Sequence, residues 1–156
     1  MNRFFAVLLV VWSSTSGPAL AGAPQPDVPE AAQAAVATVD RFFAALSSGD
    51  LDRAGAELDP DVVILESGGA EYSAAEYLGG HAKSDAEFLK TARQKLGRRT
   101  ARASGELAWI ASESELETQQ DHKPVTIVST ETMVLRAAQA GWKIVHIHWS
   151  SRIRRQ

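Results

Sequence analysis

Two histidines near the end of the chain have the residue type and spacing best suited to chemistry. His146 and His148 stand two apart in the segment 141–152, whose β-branched and aromatic residues predict a strand. Side chains alternate between the faces of a strand, so both imidazoles are predicted to share one face with Trp142. Imidazole serves as a general acid or base near neutral pH and as a metal ligand. We therefore expect this face to line a functional site.

A metal site is one interpretation of the histidine pair. Residues two apart on a strand have Cα atoms about 6.5–7 Å apart, so their imidazoles can converge on one ion. A metal site usually has three protein ligands, and the candidates for the third are His81, Glu66 and Glu131. In the alternative, the imidazoles contact pocket hydroxyls or waters and bind an organic group. We favour the alternative, without metal or other cofactor, because no spacing guarantees the third ligand.

Glu131 is the carboxylate that could act together with the histidines. The register of the last hairpin is open, so the histidines' neighbours are either Thr130 and Thr132, or Glu131 and Met133. The face that contains Glu131 is the more apolar one and is expected to point inward. There Glu131 would be an acid or base in an apolar cavity and would need a partner. In the alternative register it faces water.

Further polar residues are expected around the same pocket. Ser112 and Ser114 share one face of the predicted strand 107–118, opposite three glutamates, and are expected to contribute hydroxyls. Glu66 ends a predicted strand, and His81 follows two glycines in a predicted loop, so both are candidates for the mouth of the pocket. No serine lies in a nucleophile-elbow pattern, which argues against a serine hydrolase.

The secondary-structure signals place the helices first and the strands after them. Hydrophobic spacing and the caps Asp27, Asp50, Ser73 and Ser84 predict helices at about 29–47, 51–58, 74–78 and 85–96. Strands are predicted at 61–66, 70–72, 99–104, 107–118, 124–137 and 142–152. This order predicts a single α+β domain, an antiparallel sheet with the helices on one face.

The beginning of the chain has the pattern of a secretory signal. Arg3 precedes an apolar run at 4–12, and Ala19-Leu20-Ala21 matches a cleavage site. The apolar run is too short to span a bilayer, and no cysteine can accept a lipid, so no stable membrane anchor is expected. We expect a periplasmic or secreted protein. The predicted divisions are a signal peptide at 1–21, a flexible linker at 22–28, the domain at 29–152 and a basic tail at 153–156.

Composition excludes several classes of function. The chain has no cysteine, which excludes disulfides, thiolate metal sites and a cysteine nucleophile. Its formal net charge of −3 is spread along the chain, which argues against nucleic acid as a partner.

Three segments resemble the nuclear-transport-factor-2-like superfamily, in particular its SnoaL-like and domain-of-unknown-function-4440 branch. They are FFAAL with GDL (42–51), DPDVV (59–63) and GWKIVHIH (141–148), and the likeness covers 29–152. It implies a cone-shaped, strongly bent antiparallel sheet wrapped round the N-terminal helices, with a pocket at the open end and frequent dimers. In that branch the His-x-His tends to face the cavity. Neither Tyr72 nor Tyr77 matches the steroid-isomerase pattern, so no isomerase site carries over.

Three functions remain open at this point. The first is an exported domain that binds a small organic ligand in a cavity lined by His146 and His148. The second is an enzyme of the isomerase, dehydratase or cyclase type, with a histidine or Glu131 as general base. The third is a metal-binding protein that uses the histidine pair. The opposite face of the last strand carries Val145, Ile147 and Trp149, an apolar strip that predicts a homodimer through the outer sheet face.

Overall fold

The computed structural model describes residues 26–120 and 122–155. The predicted signal peptide lies outside the described residues, as do residues 22–25 of the predicted linker. A short 3₁₀ turn, Glu30–Ala32, comes first. The helices are α1 (Gln33–Ser48), α2 (Leu51–Glu57), α3 (Ala74–Gly79) and α4 (His81–Thr91). The strands are β1 (Leu58–Glu66), β2 (Gly69–Glu71), β3 (Arg93–Ser104), β4 (Leu107–Gln120), β5 (Lys123–Ala138) and β6 (Gly141–Ile153).

The strands form one curved, unclosed sheet in the order β2-β1-β6-β5-β4-β3. The predicted antiparallel meander runs through β3, β4, β5 and β6, but β1 pairs with β6 in parallel, so the sheet is mixed. The α+β cone fold is confirmed. No helix within the described ranges is both long enough and apolar enough to cross a membrane.

The core lies between α1 and the concave face of the sheet. The helix buries Val39, Phe42 and Leu46, which recur at helical spacing on one face. The sheet contributes fully buried aliphatic residues from its central strands, among them Ile110 and Ile147. This packing holds α1 against the sheet and leaves room for a cavity toward one end of the strands.

Local capping signals decide where two of the helices begin. The side chain of Asp50 accepts a hydrogen bond from the backbone N–H of Arg53 (3.1 Å), and Ser73 accepts one from Glu76 (3.1 Å), as predicted. Gly49, with φ of 79°, ends α1 in the left-handed conformation.

Asp27 differs from its predicted role as a helix cap. It pairs with β3 instead, where its N–H donates to the carbonyl of Arg99 (2.9 Å). Its carboxylate binds Arg102 (2.6 Å). This end of the predicted linker therefore lies against the sheet. The predicted basic tail is also engaged in part, because the N–H of Arg154 donates to the carbonyl of Thr126 (2.8 Å).

The helix predicted at 85–96 begins and ends earlier than expected. It starts at His81, so the predicted loop at this histidine is wrong, and Ser84 donates to the His81 carbonyl (2.8 Å) rather than capping. The segment after Thr91 joins the sheet because it faces an acidic stretch of β4, and opposite charges across strands stabilise their pairing. The register pairs are Arg93 with Glu117, Lys95 with Glu115, and Arg98 with Glu113.

The last strand contains a β-bulge at Val145 that inverts its alternation. Val134 pairs with His146 while the next residue, Leu135, pairs with Ile144, so Val145 is the extra residue on β6. One extra residue moves every later side chain to the opposite face. The prediction that His146 and His148 face the cavity is therefore wrong, because both stand on the outer face.

Burial of large apolar side chains explains the bulge. Trp142 and Ile144 point to the core before it, and Ile147 and Trp149 point to the core after it. A regular strand would leave one of these two pairs on the outer face. The Trp149 ring stacks on Phe42 with centroids 6.4 Å apart. The predicted outer strip of Val145, Ile147 and Trp149 is wrong, and with it the reason given for a dimer.

Candidate functional site

A cavity opens between the helices and the concave sheet, toward the strand ends far from the β5–β6 hairpin. Its volume is about 120 Å³, and it is open to solvent on one side. Its apolar walls are formed by Phe43, Leu46, Phe88, Leu89 and Trp149. An apolar enclosure with a few polar groups is the usual form of a small-molecule site.

Two rows of side chains cross the sheet at the floor of this cavity. The first row runs over five strands in register: Glu66, Trp149, Glu131 and Ser112 line the cavity, and Arg99 ends the row outside the cavity lining. The second row lies one step closer to the strand ends and consists of Ser151, Ser129 and Ser114. The sheet thus presents carboxyl groups and hydroxyl groups in adjacent rows.

Glu131 is the most constrained polar group of the site. It is only 8% exposed, and its Oε2 accepts a hydrogen bond from Nε1 of Trp149 (2.9 Å). Its Oε1 is buried without a hydrogen-bond partner among the described residues. Burial raises the pKa of Glu131, while the Trp149 hydrogen bond, the charge of Arg99 and the neighbouring Ser112 hydroxyl act in the opposite direction. The carboxyl therefore keeps its proton at higher pH than an exposed glutamate does.

Arg99 connects this row to α1. Its Nη1 donates to Oδ1 of Asp40 (2.6 Å), and its Nε donates to the hydroxyl of Ser112 (3.3 Å). Ser112 stands directly opposite Glu131 in the sheet. The guanidinium is therefore neutralised by Asp40 while it orients a serine beside the buried carboxyl.

A second group of titratable side chains lies at α3 and α4. The hydroxyl of the buried Tyr77 donates to Oδ2 of Asp85 (2.9 Å), and Nδ1 of His81 bonds the carboxylate of Glu71. Burial raises the pKa of Asp85 and of Glu66, both of which line the cavity. The hydrogen bond to Glu71 raises the pKa of His81.

Residues 35–154 match the SnoaL-like domain family. The chain belongs to this family. The comparison with curated proteins returned no match.

Solved structures share the fold of this SnoaL-like domain. A candidate ketosteroid isomerase from Shewanella frigidimarina is 31% identical, with 75% of this chain and 94% of that chain covered and a TM-score of 0.70. The CaMKII hub of S. rosetta is 23% identical over 80% of this chain and 98% of that chain, with a TM-score of 0.65. An NTF2-like protein from Novosphingobium aromaticivorans is 17% identical over 77% and 80%, with a TM-score of 0.65.

The SnoaL-like domain brings together only some of the residues that the sequence suggested. Glu131, Ser112, Ser114 and Glu66 all line the cavity. Trp142 packs against the core, away from the cavity-lining residues. These positions follow from strand alternation on β1, β4 and β5, which is regular where the site is formed.

None of the sequence-predicted histidines lines the cavity. Nδ1 of His146 donates to the carbonyl of Val63 (2.9 Å), and His148 is exposed on the outer face. The side chain of His81 is 65% exposed and bonded to Glu71. Among residues 26–120 and 122–155, no three His, Cys, Asp or Glu side chains are grouped so that they could hold a metal ion.

Sequence reasoning missed several cavity residues, which are Asp85, Gln94, Ser129, Trp149 and Ser151. One signal could have found the two on β6. Its large apolar residues stand at 142, 144, 147 and 149, and the change from even to odd positions indicates a bulge between them. Asp85 and Gln94 depend on where α4 ends and β3 begins, which non-local pairing decides.

Proposed function

We propose that this SnoaL-like domain binds a small organic molecule in the cavity and that Glu131 transfers a proton to or from it. The observation that carries the proposal is the buried Oε1 of Glu131, which lacks a hydrogen-bond partner among the described residues on the wall of an open cavity. A ligand group at this oxygen supplies the missing hydrogen bond. A raised pKa also suits a general acid or base, because both protonation states are then accessible nearer neutral pH.

The reaction type that fits is proton abstraction next to a carbonyl group, as in isomerases, dehydratases and cyclases. Glu131 acts as the base in this scheme, and the hydroxyls of Ser112, Ser114 and Ser129 donate to the oxygen on which charge develops. The likeness to the candidate ketosteroid isomerase from Shewanella frigidimarina supports this type of chemistry.

Deuterium exchange of a ketone tests the proposed base. 2-Tetralone is a bicyclic apolar ketone with acidic α-protons, and its exchange in D₂O is followed by NMR. Wild-type protein is expected to accelerate exchange at least about 100-fold more than Glu131→Gln, the lower end for a general base. Glu113→Gln, an exposed outer-face variant, is the matched control and is expected to behave as wild type. Equal exchange by wild type and Glu131→Gln, with 2-tetralone bound, would reduce the function to binding alone.

We also propose that two copies of the chain associate through the outer sheet face. This face exposes Trp109 (42%) and Leu107, with Val134 opposite Trp109 on the next strand. Exposed tryptophan beside aliphatic side chains is typical of an interaction surface. The similar fold of the S. rosetta CaMKII hub supports assembly.

Export is proposed on the N-terminal pattern alone. The charged residue Arg3, the apolar run at 4–12 and the small residues before Gly22 are typical of a cleaved secretory signal. The ligand would then be encountered in the periplasm or outside the cell.

A further inference from the structure

The charges around the cavity are all of one sign. Three carboxyl groups line it, those of Glu66, Asp85 and Glu131. Among the described residues, no lysine, arginine or histidine side chain lines the cavity. A binding site with this lining attracts positive charge and repels carboxylates and phosphates.

The nearest cationic side chains are already engaged elsewhere. Arg99, which faces Glu131 from β3, is bound by Asp40 at 2.6 Å. His81, which faces Glu66 and Asp85 from the start of α4, is bonded to the carboxylate of Glu71. Asp85 accepts one hydrogen bond, from the neutral hydroxyl of Tyr77. The cavity carboxyls therefore lack an ion-pair partner that would balance their charge within the described residues.

The burial of these unpaired carboxyls indicates that a ligand balances their charge. An unpaired carboxylate in an apolar enclosure is costly, and exposure to solvent would remove that cost. Glu131 is nevertheless only 8% exposed, with Oε1 unpartnered and the side chain on the cavity wall. A ligand group at Oε1 would complete the hydrogen bonding of Glu131, and a positive charge elsewhere on the same ligand would offset the charge of the other two carboxyls.

Aromatic rings complete the same environment. Phe43, Phe88 and Trp149 line the cavity alongside the carboxyls. Aromatic faces attract organic cations, and the attraction grows when the site excludes water. The rings also bury the apolar part of a ligand that carries such a cation.

We infer that the ligand is a small organic amine in its ammonium form, carried on an apolar or aromatic body. This inference rests on the proposed function, because it names the class of molecule that the same cavity takes. Glu66 and Glu131 stand two strands apart in one row, so their backbones are about 10 Å apart. A ligand of one or two fused rings spans this row, with its ammonium group at the Glu66 and Asp85 end and its reacting carbon toward Glu131.

Three ligands on one scaffold test the charge preference. Isothermal titration of the full chain at pH 7.5 compares 2-aminotetralin, the neutral 2-tetralol and the anionic tetralin-2-carboxylate. The amine is expected to bind at least about tenfold more tightly than the alcohol, as expected for a charge-assisted hydrogen bond. The carboxylate is expected to bind more weakly than both.

Two variants identify the groups responsible. Glu66→Gln and Asp85→Asn each keep an oxygen acceptor, which Asp85 needs for the Tyr77 hydroxyl. Both are expected to lose most of the amine preference while the affinity for 2-tetralol is retained. Glu113→Gln on the outer face is the control and is expected to keep the preference in full.

The outcomes separate this inference from the proposed function. Equal affinity for amine and alcohol, tighter binding of the carboxylate, or no binding of the amine would each overturn the inference. A preference that survives in both variants would overturn it as well. Glu131-dependent exchange of 2-tetralone would leave the proposed function standing in all of these cases.

Discussion

Glu131 is a cavity residue whose buried carboxyl lowers the stability of the folded domain. Only one of its carboxyl oxygens is bonded, to the indole of Trp149, and the other is buried without a partner among the described residues. Burial disfavours the charged form of a carboxyl in this setting and so raises its pKa. The domain therefore carries a pH-dependent cost at this position that an exposed glutamate would avoid.

Replacing Glu131 by glutamine should stabilise the protein in a pH-dependent way. The folded-state pKa lies above the ordinary 4.5, so the folded state binds more protons and the wild-type free energy of unfolding falls as pH rises above about 4.5. The advantage of Glu131→Gln should therefore be greater at pH 7 than below about pH 4. Denaturant unfolding across this range measures it, with Glu106→Gln, at an exposed turn residue, as control. A wild type that gains stability relative to Glu131→Gln on going to pH 7 would contradict the prediction.

The histidines of the last strand are expected to be dispensable for ligand binding. His148 is exposed on the outer face, and His146 bonds the backbone of β1, so neither reaches the cavity. His148→Ala should leave the affinity for 2-tetralone unchanged by isothermal titration. His146→Ala should do the same, with a loss of about 1 kcal/mol in stability for the hydrogen bond to Val63. Weaker binding in His148→Ala would return this pair to the site.

The β-bulge of β6 decides which side chains of this strand face the cavity and which face outward. It places Trp149 against Phe42, Phe43 and Tyr77, with ring centroids 6.1–6.5 Å apart. The same irregularity turns the two histidines outward. A single extra residue thus gives the cavity an aromatic floor where a regular strand would have placed the two imidazoles.

Trp149→Ala should test this placement through stability. A core tryptophan truncated to alanine costs about 3–5 kcal/mol, because the space that remains collapses only in part, and the partly buried Trp149 should lie toward the lower end of this range. Tyr72→Ala, at an aromatic residue that is 68% exposed, is the control and should cost less than about 1 kcal/mol. Urea denaturation monitored by circular dichroism gives both values. A loss in Trp149→Ala as small as the loss in Tyr72→Ala would place Trp149 on the surface.

For the whole molecule, the outer sheet face is the surface through which we propose that two copies of the chain associate. Trp109→Glu puts a charge in the proposed interface and should give a folded monomer at micromolar concentration, where the wild type is expected to sediment as a dimer. Tyr72→Glu, at an exposed aromatic residue on another part of the surface, should remain dimeric. A monomeric wild type in sedimentation equilibrium would remove the proposal.

The N-terminal segment is proposed to direct export of the molecule. Cleavage after Ala21 should leave an exported protein that begins at Gly22. N-terminal sequencing of material from the periplasm or the medium measures this directly. A protein that retains Met1 there would contradict the expected processing.

Local signals allowed much of the fold to be predicted from the sequence alone. Asp50 and Ser73 cap their helices as predicted, because a cap depends only on residues within one turn. Three segments with the spacing of a known family placed the chain in the SnoaL-like fold. Regular alternation on β4 placed Ser112 and Ser114 on the cavity wall.

Only the tertiary structure decided which side chains of the last strand point toward the core and the cavity. Alternation predicts facing only while the strand is regular, and the bulge at Val145 forms because both Ile144 and Ile147 find places in the core beneath α1. The extension of β3 back to Arg93 likewise depends on glutamates about twenty residues away in β4. The inward facing of Glu131 depends on the same registers. These choices are made by packing and pairing between distant segments, which no local pattern records.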